Sequence, residues 1–143
     1  MANQSSTAFG LRPLRTVGQA QYNAGLGEWL KASGSAAIYH HELTAMQATG
    51  YVISAGAGGG TLVGSLNGSF YTDPTTSKPT WSNYAPSVAA SDHTVLMNDN
   101  PQTMFEAMTL RTDYTNPAVV GTNVDIVVGT GSTTSPFSSQ NSL

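Results

Sequence analysis

Cysteine is absent from the 143 residues, which excludes both a disulfide framework and a thiolate metal site. Charge is nearly as scarce. Charged residues make up 9% of the chain, against about 25% in typical soluble domains. Five Lys and Arg stand against eight Asp and Glu, for a net charge of −3. That leaves no basic field to attract nucleic acid. No apolar run approaches the ~18 residues of a membrane-spanning helix. The opening MANQSSTAFG lacks the basic and apolar regions of a secretory signal, so synthesis and folding in the cytoplasm are expected.

What the chain does have is Ser, Thr, Asn, Gln and Gly in place of charge, and short β-rich runs punctuated by turn formers. Such a surface hydrates well but repels neighbours weakly, which suits a protein packed in an array and is also ordinary for secreted β proteins. The length implies one domain with a real core. Many short strands at turn-punctuated spacing imply an all-β fold, either a small β-barrel or a β-sandwich. The organisation expected is an extended N-terminal arm over 1–20, a β domain over 21–128 and a polar low-complexity tail over 129–143.

The stretch 61–109 carries the strongest local signals. Asn67-Gly68 is the dipeptide best suited to a type I′ turn, flanked by Leu62, Val63, Leu66, Phe70 and Tyr71. A hairpin with arms 61–66 and 69–72 is expected. Two further runs, 94–97 and 104–108, are expected to pair with each other across Asn98-Asp99-Asn100-Pro101. Val95 and Met97 share one face of the first run. Phe105 is expected inward and Glu106 outward in the second. Between these pieces an extended segment holds Trp81 and Tyr84, read foremost as core or interface aromatics and otherwise as sugar- or base-stacking rings.

Elsewhere the signals are weaker. Residues 25–31 alternate as a short strand ending at Ser33-Gly34-Ser35. Residues 36–41 read as a strand followed by a turn, with a short helix through Met46 as the alternative. Residues 50–54 form a strand, and 119–121 with 124–128 are candidates for a last pair. In the arm, Gly10 and Pro13 break any helix, and Phe9, Leu11, Pro13 and Leu14 alternate with Arg12 and Arg15. Two readings stand side by side. The arm grips a partner surface, or Phe9 and Leu11 tuck into the chain's own core as a first strand.

Chemistry is thinly represented. His40-His41 with Glu42 invites a metal site, yet neighbours in a strand point to opposite faces. Ser91-Asp92-His93 invites a triad, yet sequential residues in an extended chain do not converge. Gly56–Gly60 lacks the Lys-Ser/Thr ending and following helix of a phosphate loop. Asp73, Asp99 and Asp113 sit beside turn formers and are read as turn caps. No catalytic, cofactor or metal residues are therefore assigned, and an enzyme is the class least expected.

Three stretches add a resemblance. These are Ala8 to Pro13 (AFGLRP), Tyr71 to Pro74 with Pro79 to Tyr84 (YTDP and PTWSNY), and Pro101 with Phe105-Glu106. Together with the Gly129–Thr134 tract, they make the chain similar to the capsid cement or head-decoration proteins of tailed bacteriophages. The likeness is loose over 2–30 and closer over 60–130. Family members continue into a further apolar strand where this chain has its polar tail. The resemblance implies a structural virion protein on the capsid exterior that binds across capsomer joints and stabilises the expanded shell. Its partners would be the major capsid protein and neighbouring copies of itself, with no cofactor, nucleic acid or membrane. The capsid contacts would come from Phe9, Leu11, Arg12, Pro13, Leu14 and Arg15, with Trp81 and Tyr84 as interface aromatics. A head–tail joining or tail component is the second reading, and a carbohydrate-binding β module using Trp81 and Tyr84 the third.

Overall fold

A computed structural model describes residues 9–18, 26–57, 60–108, 120–123, 126–129 and 131. Among them are eight strands in two sheets, one 3-10 turn at Ala55–Ala57 and no α-helix. The fold is all-β.

The larger sheet is organised around one long strand, β5 (Thr61–Thr72). On one edge its first half pairs with β3 (Leu43–Met46) and its last residues with β6 (Pro79–Ser82). The other edge pairs with β7 (Thr94–Asn98), from Ser65↔Asn98 to Phe70↔Thr94. Beyond β7 lies β2 (Gly27–Leu30), and beyond β3 lies β4 (Val52–Ser54). The sheet curls until these outer strands meet at a single parallel bridge, Lys31↔Val52. It does not close into a barrel. The second sheet is a two-stranded ribbon of β1 (Arg12–Thr16) and β8 (Thr103–Glu106).

Two expected hairpins fail here, and both failures are non-local in origin. Asn67-Gly68 makes no turn. The chain runs straight through it, because Leu66 faces Met97 and Gly68 faces Leu96 on the same partner strand. Asn67 is the extra residue of a β-bulge, which absorbs the irregularity without reversing the chain. Gly68 is required for another reason: a Cβ there would lie 2.7 Å from the Trp81 indole. Likewise β7 and β8 do not pair with each other. The Asn98–Pro101 segment instead carries the chain from the large sheet to the ribbon. Its turn is held by Asn100, whose carbonyl accepts the Thr103 N–H at 3.0 Å and whose side chain accepts the Gln102 N–H at 2.9 Å.

The core sits on one face of the large sheet. Ile38, Val52, Leu66, Ala85, Val95 and Met97 are fully buried, with Trp29 and Val63 packed against them. Each larger member contributes roughly 1.5–3 kcal/mol by leaving water. Val95 and Met97 share the inward face as their spacing implies. Residues 36–41 are not a strand. Ile38 makes one reciprocal bridge with Ala85, and β3 starts only at Leu43. The short strands at Gly27–Leu30 and Val52–Ser54 fall where the sequence places them. No strand is described after β8. Val120 is exposed, while Val119, Val124, Asp113 and nearly all of 129–143 lie outside the described residues.

Candidate functional site

The ribbon gathers most of the residues singled out in the N-terminal segment. Leu11 is buried, and its N–H donates to the His41 carbonyl at 2.8 Å. The tucked reading therefore holds for Leu11. Pro13 is half-buried opposite Phe105, which turns toward the large sheet and, with Leu11 and Leu43, lines an apolar crevice. Phe9 is half-buried, with the Arg12 guanidinium 5.2 Å from its ring centroid, within cation–π range. Arg12 also reaches across the ribbon to Glu106, donating from Nε at 3.0 Å and from a second guanidinium nitrogen to the same oxygen.

The outward face of the ribbon is different. Leu14 is 52% and Val17 60% exposed, with Met104 and Arg15 also exposed beside them. A register shift between Pro13 and Arg15 leaves Leu14 unpaired in the ladder, and so turned out of the regular alternation. The Arg15 side chain has no hydrogen-bond or ion-pair partner among the described residues.

A second apolar row crosses the outer face of the large sheet. Leu30, Thr94, Phe70 and Trp81 face one another in register across four strands. Phe70 is 46% and Trp81 56% exposed. The Trp81 ring lies over Gly68, which has no side chain to lift it. Tyr84 is not part of this row. Its ring stacks on Tyr39, centroids 6.0 Å apart and planes at 10°. The structure thus separates the two aromatics that the sequence groups together. Phe70 is the partner sequence reasoning missed; only the strand register reveals it.

The remaining candidates resolve into structural roles. His40 and His41 do not alternate as in a strand. His41 has φ of 61°, and the two rings stack with centroids 3.7 Å apart. Glu42 is buried, its carboxylate accepting the Ser54 hydroxyl and, at 2.6 Å, the Tyr39 N–H. Burial still raises its pKa. No group of three or more metal-ligating side chains occurs among the described residues. Asp92 and His93 part company. The Asp92 carboxylate accepts the Thr72 N–H at 3.1 Å, while His93 is fully buried with its ring 4.7 Å from that of Tyr71. Burial, and then the nearby Lys31 charge, bring the His93 pKa down to about 4.

Lys31, which the sequence did not mark, is a buried amine. It donates to the Ser35 carbonyl at 3.0 Å and the Ser35 hydroxyl at 2.8 Å. Burial lowers its pKa to about 8. Asp73 caps its own turn as expected, accepting the Thr75 and Thr76 N–H groups. Asp99 instead accepts the Trp29 indole N–H at 3.0 Å. Gly58 and Gly59 of the glycine run lie outside the described residues. Among the described residues no helix is long and apolar enough to cross a membrane. No protein-family model, no curated protein and no solved structure matches this chain.

Proposed function

We propose that the chain is a structural virion protein that decorates or cements the head of a tailed phage, binding across capsomer joints. Its partners are the major capsid protein and neighbouring copies of itself. The sequence resemblance at residues 8–13, 71–84 and 101–106 is the origin of this reading. The observation that supports it best is the outward face of the β1–β8 ribbon. There the exposed Leu14, Val17 and Met104 lie beside Arg15, whose side chain has no partner among the described residues, on an element anchored to the domain by Leu11. Apolar side chains next to an exposed guanidinium suit a protein surface that offers both a greasy hollow and a carboxylate. Each such contact is weak alone. A symmetric array of copies makes the contacts act together through effective concentration.

Purified chain added to undecorated heads tests this. It is expected to co-sediment with them at a fixed copy number, and Leu14→Asp with Arg15→Glu is expected to abolish binding while the fold persists. Point changes serve better than deleting the arm, because deletion also removes buried Leu11. Chain found only at one vertex or on the tail would favour the head–tail or tail reading.

A carbohydrate-binding module is the third reading. The exposed Trp81 and Phe70, opposed across neighbouring strands, form a platform on which a sugar ring can stack. Glycan binding lost in Trp81→Ala, with head binding absent, would move the assignment there.

A further inference from the structure

The corner where the ribbon meets the large sheet is built on two adjacent histidines. His41 sits in the left-handed region, which is uncommon for a residue with a side chain. This reversal lays its ring on that of His40, with centroids 3.7 Å apart and planes at 28°. The same residue carries the hydrogen bonds that tie the ribbon down. Its N–H donates to the Leu66 carbonyl at 2.7 Å, and its carbonyl accepts the Leu11 N–H at 2.8 Å. Gly10, with φ of 82°, lies so close to that carbonyl that no Cβ fits.

Among the described residues, few charged or polar side chains surround the pair. From the ribbon comes Arg12, held to Glu106. From β5 comes Asn67, the bulged residue, whose side chain hydrogen-bonds His40. Glu42 follows directly in the chain, but its carboxylate is taken up by Ser54 and the Tyr39 N–H.

We propose that the stacked His40–His41 pair is an acid-operated latch for the N-terminal strand. When both rings are neutral they stack, and the His41 carbonyl holds Leu11. When they charge, they repel each other and Arg12, and the leading end of β1 swings off the large sheet while its pairing with β8 remains. The electrostatics run in this direction. Burial, then His40, then Arg12 bring the His41 pKa down to about 4. Burial lowers that of His40, partly offset by Asn67. A freed histidine titrates near 6.5. Between about 6.5 and about 4 the released form therefore binds more protons, so falling pH favours release.

Amide hydrogen exchange on the full-length chain tests the latch, each rate being divided by the intrinsic rate at that pH. Between pH 7 and pH 4.5 the Leu11 amide is expected to lose at least about tenfold protection relative to amides of β5 and β7. The Val17 amide, bonded within the ribbon to the Gln102 carbonyl, is expected to keep its protection. His41→Asn tolerates the left-handed backbone and removes one charge. It should shift the loss by a pH unit or more toward acid. His40→Gln retains an amide for Asn67 and should shrink the pH dependence in the same way. The latch is overturned if both variants follow the wild-type curve. It is equally overturned if Leu11 keeps its protection until the β5 and β7 amides open with it.

Discussion

The two sheets of this protein differ in what they bury and what they expose. Among the described residues the fully buried cluster joins Val52, Leu66, Val95 and Met97 of the large sheet to the bridged pair Ile38 and Ala85. The ribbon contributes none of it. It is fastened at one corner through Leu11, Phe105 and the His41 carbonyl, and it turns Leu14, Arg15, Val17 and Met104 to solvent. The difference teaches where substitutions should matter. Changes in the sheet are expected to cost stability, and changes on the ribbon's outer face, under the proposed function, to cost binding.

The sharpest way to break that contrast is in the core. Met97→Ala removes a fully buried side chain between β2 and β5 and is expected to cost about 2–5 kcal/mol in urea unfolding. Leu14→Asp, on the ribbon, should stay within about 0.5 kcal/mol of wild type. Equal losses would mean the ribbon is part of the core after all.

Acid sharpens the same contrast inside the sheet. Among the described residues His93 has no hydrogen-bond partner at either ring nitrogen, and its folded pKa is depressed to about 4. Stability from keeping it neutral is fully present above about 6.5 and is lost as pH falls toward 4. The urea midpoint of wild type should fall over that window. His93→Phe keeps a ring against Tyr71 and should flatten the fall; an unchanged slope would assign the acid sensitivity elsewhere.

Two smaller effects complete the series. Gly68→Val should displace the Trp81 indole from its seat, costing about 1–3 kcal/mol and changing tryptophan fluorescence. Arg12→Gln breaks an exposed ion pair with Glu106 and should cost at most about 1 kcal/mol. An Arg12 effect exceeding that of Gly68→Val would make the ribbon's own pairing more important than its anchoring.

Much of the large sheet was legible because its signals are local. Val52 and Ile53 are β-branched and lie two and three residues after Gly50, Val95 and Met97 alternate, and Asp73 caps the Thr75 and Thr76 amides of its turn. The Asn67-Gly68 turn misled because its strong local preference yields to continuous pairing with β7 on one side and with β3 and β6 on the other. The partition of β7 and β8 into different sheets was hidden for the same reason, since β8's partner lies at the start of the chain. At the candidate site, the sequence marked Leu14 and Arg15 but could not say that Leu11 faces inward. It marked Trp81 but paired it with Tyr84, where register sets Phe70 opposite. The buried amine of Lys31 and the Arg12–Glu106 pair carry no spacing signal, because their surroundings come from distant segments.

One measurement bears most directly on the account: a reconstruction of phage particles assembled with and without this chain. The account predicts added density at the capsomer joints over the whole shell, with the outer face of the β1–β8 ribbon against the capsid protein. Density confined to a single vertex or the tail, or identical shells in the two reconstructions, would contradict it.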